Sequence, residues 1–214
     1  MRDARLAFRA RRAAASLALL LACSGRPDDA TKAPASVPEP PPGTLPVAVL
    51  RVRDRGEIRV ELLSHKAPKT VENFMKLAES GFYDGTTFHR VIPGFMIQGG
   101  DPNSRDRDPR NDGLGGPGYT IADEPNDEPQ RRGVVSMANT GMPHSAGSQF
   151  FILVADAPQL AGHYTAFGRV VGGMAVADAI VGVERDVYGR YGPPDRPRSD
   201  VVIEKVSIER PKTN

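Results

Sequence analysis

Arg90, Gln98 and a small set of large apolar side chains are the residues of this chain whose types and spacing could do chemistry. The run Phe88-His89-Arg90-Val91-Ile92-Pro93-Gly94-Phe95-Met96-Ile97-Gln98-Gly99-Gly100-Asp101 sets one arginine, two large apolar side chains and one amide within nine residues. Successive side chains of a strand alternate in direction, so a strand–turn–strand through Pro93-Gly94 could aim Arg90 and Gln98 at one pocket. A cation beside apolar walls is poor for hydrolysis, which wants a base. It suits gripping an amide and disturbing its electrons. Phe95, Met96, Phe151 and Leu160 are candidate walls, and Gln98, Asn139 and Gln149 are candidate clamps for flanking backbone. Such a site calls for no metal, cofactor, nucleophile or base.

Other groupings by residue type carry less. His89, Asp101 and Ser148 could be set out as a triad, but Ser148 lacks the G-x-S-x-G elbow that exposes a nucleophile. His89 is instead expected to make a structural hydrogen bond. The loop 101–112 holds Asp101, Asn103, Asp106, Asp108, Asn111 and Asp112 but lacks the twelve-residue order of a calcium loop, so it reads as solvated. His144 and His163 show no ligand spacing. Phe88, Val91 and Ile92 read as core.

The elements that must position these residues are mostly short strands. Val47 to Arg53 reads as a strand and Asp54-Arg55-Gly56 as a turn. Ile58, Val60 and Leu62 then alternate with Arg59 and Glu61 in a half-buried strand. Pro68 opens a helix with Val71, Phe74, Met75 and Ala78 on one face and Gly81 as its stop. Further strands fall near 88–92, 95–99, 133–137, 149–154 and 165–171. A second helix fits Met174 to Val181, and Val201 to Ile208 alternates as a last strand. Many short strands and two helices indicate a mainly β barrel or sandwich capped by helices. Glycine-rich breaks at 113–118 and 139–147 read as loops.

The 214 residues suffice for one sizeable domain, expected over 46–209, with a short tail at 210–214. The formal charge is +2, and Arg2, Arg5, Arg9, Arg11 and Arg12 against Asp3 supply more than all of it. The remainder is slightly acidic, which leaves no nucleic-acid footprint. Residues 1–22 read as an export signal: an arginine-rich start, then an apolar run from Ala13 to Ala22 too short to span a bilayer. The run ends Leu20-Leu21-Ala22-Cys23, which resembles a bacterial lipobox, so Cys23 is the expected lipidation site. It is the only cysteine, so no disulfide can form within the chain. Residues 23–45, rich in proline, are expected to form an extended tether that holds the domain off a membrane of the cell envelope.

The whole arrangement resembles the cyclophilins, the peptidyl-prolyl cis/trans isomerases. The resemblance lies in the 88–101 run, in Ser136-Met137-Ala138-Asn139 with Gly147-Ser148-Gln149-Phe150-Phe151-Ile152, and in Leu160-Ala161-Gly162-His163-Tyr164-Thr165-Ala166-Phe167-Gly168-Arg169-Val170. Ala67 to Phe74 and Gly115 to Tyr119 also look like the bacterial branch. It implies a closed eight-stranded antiparallel barrel with a helix over each end. It implies that Arg90 is the catalytic arginine, oriented by Gln98, and that Phe95, Met96, Phe151 and Leu160 form a proline pocket. Ala138 and Asn139 would present backbone to an extended peptide, and Gln149 would line the neighbouring groove. The implied partners are proline-containing peptides and exported proteins as they fold, met by a membrane-anchored monomer. A proline-peptide binding module or chaperone with little turnover is the alternative; intact Arg90 and Gln98 favour the enzyme. Two positions depart from the family. Gln159 stands where many eukaryotic members carry a tryptophan that helps hold cyclosporin, so weak cyclosporin binding is expected. Tyr164 replaces a pocket histidine and keeps a ring and a donor. The segment 183–199 is longer than expected and has no assigned role.

Overall fold

The structure is a computed structural model and describes residues 38–211. The expected signal peptide, Cys23 and most of the tether lie outside the described residues. Ten strands and two α-helices follow in order: β1 Val47–Val52, β2 Gly56–Leu62, α1 Pro68–Glu79, β3 Arg90–Ile92, β4 Met96–Gly99, β5 Val134–Met137, β6 Phe150–Leu153, β7 Ala166–Gly172, α2 Met174–Val181, β8 Arg185–Asp186, β9 Arg196–Pro197 and β10 Ile203–Glu209. Eight strands form one antiparallel sheet in the order β10-β1-β2-β7-β5-β6-β4-β3, and β8 pairs only with β9.

The alternation seen in the sequence sets the faces. Ala48, Leu50 and Val52 of β1 and Ile58, Val60 and Leu62 of β2 are buried, while Arg51 and its cross-strand partner Glu57 form an ion pair at the surface. The β1–β2 turn places Asp54 at φ 56° and Gly56 at φ 105°, backbone that a tight hairpin demands. Helix α1 packs against β10 and buries Val71, Phe74, Leu77 and Ala78. Its N-terminus has no cap of its own. The Glu124 carboxylate accepts from the Lys69 N–H at 3.1 Å and the Thr70 N–H at 2.7 Å, satisfying two orphan donors at the positive end of the helix. Phe74, Tyr83, Phe150 and Phe167 interlock in the core, with ring centroids 5.0 to 5.7 Å apart. Before α2, Gly173 has φ 81° and a side chain there would strike the Glu57 carbonyl, so the entry to that helix requires glycine.

The expectation of a closed barrel is corrected. The sheet has two ends, β3 and β10, which do not pair with each other as strands. The segment before β3 is stitched instead to the start of β10 and the residues leading into it: the Phe88 N–H donates to the Val201 carbonyl at 2.9 Å and the Ile203 N–H to the Thr86 carbonyl at 2.7 Å. Beyond that point the outer edge of β3 is taken by the 183–199 excursion, where the Asp195 carbonyl accepts from the Val91 N–H at 2.9 Å. An edge covered in this way is not available to another strand.

The sheet also carries a second apolar layer. Phe150 and Ile152 face the main core, while Phe151 and Leu153 join Met96, Val134, Ala157 and Ala166 in a separate cluster. Ile92, Phe95, Ala138, Leu160 and Tyr164 pack against that cluster. All four residues of β6 are buried because both of its faces are covered. Within the stretch expected to be tether, Glu39 is tied to the domain. Its carboxylate lies 2.7 Å from Arg169 and 3.4 Å from Lys66.

Candidate active site

Strand register builds the site. Arg90 stands opposite Gln98, Gln98 opposite Phe151, and Phe151 opposite Ser136, so one row crosses β3, β4, β6 and β5. The next row sets Ile92 opposite Met96 and Met96 opposite Leu153. Residues in register point to the same face, which brings an arginine, an amide and an aromatic ring from three strands to one spot. The Pro93-Gly94 turn, with Gly94 at φ 71°, makes the β3–β4 hairpin tight enough for this pairing.

Arg90, Phe95, Met96, Gln98, Ala138, Asn139, Phe151, Leu160 and Tyr164 line a cavity of about 170 Å³. All the residues expected from the sequence except Gln149 therefore converge on it. Its volume is well below the roughly 300–1,000 Å³ of drug-sized pockets and fits a single side chain. Phe151 and Met96 are almost fully buried, and Tyr164 stands edge-on to Phe151 with centroids 5.3 Å apart. Arg90 is exposed, and among the described residues its guanidinium has no ion-pair or hydrogen-bond partner. Among the described residues it is the single charged group in the lining, with no carboxylate there.

The amides divide their work. Gln98 donates Nε2 to Gln149 Oε1 at 2.9 Å, and Gln149 in turn donates Nε2 to the carbonyls of Gly113 at 2.9 Å and Gly115 at 2.8 Å. Gln149 is thus the strut behind Gln98, and it also lines a neighbouring groove of about 520 Å³ with residues 113–120. The Asn139 side chain is occupied with bracing: Nδ2 donates to the His163 carbonyl at 3.2 Å and Oδ1 accepts from the Gly141 N–H at 3.0 Å. What Asn139 offers a ligand is therefore its backbone rather than its amide. The glycine carbonyls at 113 and 115 were not legible as site parts. The only signal for them was the glycine-rich composition of that loop.

Two other expectations change. His89 was expected to hydrogen-bond, yet neither ring nitrogen has a partner among the described residues, although the Thr87 backbone lies close. Burial pushes its imidazole down to about 4, opposed by Asp101 and reinforced by Arg90 and Arg196. Asp101 and Asp112, placed in a solvated loop, are buried. Asp101 accepts from the Asn103 N–H at 2.8 Å and from the Gly113 N–H, and Asp112 binds Arg196 at 2.6 Å. Ser148 is buried and donates to the Gly100 carbonyl at 2.8 Å, so its hydroxyl proton is committed to the backbone rather than to His89. Gly100 itself, at φ 85°, has no room for a side chain against the Ser148 carbonyl.

The family described as "Cyclophilin type peptidyl-prolyl cis-trans isomerase/CLD" matches residues 47–208. The chain belongs to the cyclophilin family. It is a peptidyl-prolyl cis-trans isomerase by that membership and by its relatives. The cyclophilin domain is 43% identical over 158 residues to peptidyl-prolyl cis-trans isomerase CYP18-1 of Arabidopsis thaliana, covering 72% of this chain and 90% of that one. It is 44% identical over 175 residues to peptidyl-prolyl cis-trans isomerase B of Streptomyces anulatus, covering 73% and 93%. Among solved structures, a cyclophilin from Cryptosporidium parvum superposes with a TM-score of 0.68 at 32% identity, covering 77% of this chain and 98% of that one. The same Cryptosporidium protein solved in the presence of the dipeptide Ala-Pro gives a TM-score of 0.66.

Proposed function

We propose that this cyclophilin turns X–Pro bonds by donation from the Arg90 guanidinium to the prolyl nitrogen. The observation that carries the reading is the exposed Arg90, unpaired among the described residues, in the lining of a side-chain-sized cavity whose other described walls are uncharged. Rotation about the amide bond must cross roughly 18–20 kcal/mol set by resonance. In the twisted state the nitrogen becomes pyramidal and regains its lone pair, so a donor aimed at it binds that state more strongly than the planar one. Phe95, Met96, Phe151, Leu160 and Tyr164 hold the ring. The Ala138 and Asn139 backbone holds the flanking chain, and Gln98, fixed by Gln149, orients Arg90. The Cryptosporidium structure obtained with Ala-Pro supports a proline-containing peptide as the ligand.

The leader supports a wider setting: Cys23 carries a lipid, the protein faces outward from a bacterial membrane as a monomer, and its substrates are exported proteins whose folding waits on proline isomers. That wait is on the order of tens to hundreds of seconds without assistance. Gln159 supports weak cyclosporin binding with turnover retained.

A protease-coupled assay on an Ala-Pro peptide tests the chemistry. Arg90→Ala should lose most of the activity, and Arg90→Lys should remain poor because an ammonium lacks the planar fork. Equal rates for wild type and Arg90→Ala would sink the assignment and leave a binding module. Separately, Cys23→Ala should move the protein from the membrane to the soluble fraction; unchanged membrane association would refute the anchor.

A further inference from the structure

We propose that Arg196, at the base of the 183–199 excursion, is a positioning residue for the Arg90 site. The inference rests on the proposed role of Arg90 and extends it to a segment so far without a task.

Two independent paths run from this excursion to the site. The first is backbone. Asp195 accepts from the Val91 N–H, which places the excursion along the open edge of the three-residue strand that carries Arg90. Asp195 is itself held by the Arg185 guanidinium at 3.1 Å and donates its N–H to the Asp186 carbonyl at 2.8 Å. The second path is side chain. Arg196 Nε donates to Asp112 Oδ2 at 2.6 Å, a pair whose side chains are only 17% and 2% exposed. The residue after Asp112 is Gly113, whose carbonyl receives Gln149, and Gln149 holds Gln98 opposite Arg90. The loop is further clamped where Gly192 closes on Pro109, since a Cβ there would lie 2.7 Å from the Pro109 carbonyl. Both paths end on the same pair of strands, one behind Arg90 and one behind Gln98.

A short edge strand has few hydrogen bonds of its own to fix it, so its side chains go where its neighbours send them. Misplacing a reacting group by about 1 Å can cost on the order of a hundredfold in rate. Releasing Arg196 should therefore act on turnover more than on peptide affinity, since of the pocket walls only Phe95 sits beside β3, in the β3–β4 turn, and the rest lie on β4, on β6, just after β5 and in the 157–165 segment.

The test uses the full chain with proline peptides, reading kcat and KM separately, alongside thermal unfolding. Arg196→Gln should lower kcat about tenfold with KM within about twofold. Arg196→Lys, which keeps Asp112 paired, should retain most of kcat. D112N/R196Q removes both charges together and serves if the single variant does not fold; it should show the same fall in kcat. In a Gln149→Ala background the added effect of Arg196→Gln should largely vanish, because the side-chain path that Arg196 anchors is already cut while the backbone path through Asp195 stays in place. Wild-type kcat in folded Arg196→Gln, with Arg90→Ala inactive, would overturn the positioning role and leave the site assignment standing. So would a loss of activity that only tracks the unfolded fraction, or full additivity with Gln149→Ala. Wild-type activity in Arg90→Ala would remove the site assignment and the positioning role together.

Discussion

Acidification should destabilise this domain through His89 before its carboxylates titrate. The ring is 3% exposed, and neither nitrogen has a hydrogen-bond partner among the described residues. Its imidazole is held down to about 4 by burial. In the unfolded chain it returns to about 6.5. Between these values the unfolded chain takes up a proton that the folded domain refuses, so stability falls as pH drops from about 6.5 toward 4. The full loss is about 3 kcal/mol, on the order of 1.4 kcal/mol for each pH step within the window. That is a large share of the roughly 5–15 kcal/mol of a typical domain. Urea unfolding at several pH values between 7.5 and 4.5 measures it, a range that stays mostly above the carboxylates. His89→Leu removes the titration and replaces an unsatisfied polar ring by apolar volume, so the variant should be at least as stable as wild type at pH 5. His65, His144 and His163 remain in both proteins, and the difference between the two curves isolates His89. Parallel curves for wild type and His89→Leu would refute the reasoning, as would an NMR titration of His89 near 6.5.

Gln149→Ala removes the strut under Gln98 and leaves the Gly113 and Gly115 carbonyls without their donor; kcat/KM on Ala-Pro peptides should fall about tenfold while far-ultraviolet circular dichroism stays unchanged. Phe151→Ala opens a hole in the apolar layer beside Met96 and Tyr164 and should cost about 3–5 kcal/mol by denaturant unfolding, with a raised KM for proline peptides. Glu128 is buried; burial raises its carboxyl, but bonds to Arg169 and Lys66 outweigh that and hold it below the ordinary range. Glu128→Gln should therefore cost about 2–3 kcal/mol at pH 7, less than a fully buried pair because Arg169 is 35% exposed and keeps Glu39. The wild-type advantage over this variant should shrink as pH falls through the carboxylate range, since a lowered pKa contributes stability above it and loses it below.

Much of the fold was legible because it depends on local period. The alternation of Ile58, Val60 and Leu62, the proline-initiated α1 and the brief α2 all follow from side-chain spacing. Val71, Phe74 and Ala78 are buried and Met75 packs against the core as expected, and Leu77 joins that face. Closure of the barrel was not legible, because whether β3 meets β10 depends on what else competes for that edge. The competitor is the 183–199 excursion, whose short strand pair carries no periodic signal over two residues each.

The site shows the same division between local and long-range information. Arg90 and Gln98 are nine positions of one hairpin, and their pairing could be foreseen from the Pro93-Gly94 turn. The row that extends it to Phe151 and Ser136 depends on the registers of β4 with β6 and of β6 with β5, strands joined by long loops, which no spacing encodes. Composition likewise misplaced Asp101 and Asp112. An acidic loop reads as solvated by default, yet these two carboxylates are buried, one as a turn cap for Asn103 and Gly113 and the other against Arg196. A buried carboxylate costs several kcal/mol unless it is paired and hydrogen-bonded, so such a loop is held in a particular shape rather than left to drift. Here that shape points two glycine carbonyls at Gln149. The charge that looked incidental in the sequence therefore fixes the loop whose carbonyls hold Gln149, the partner of Gln98.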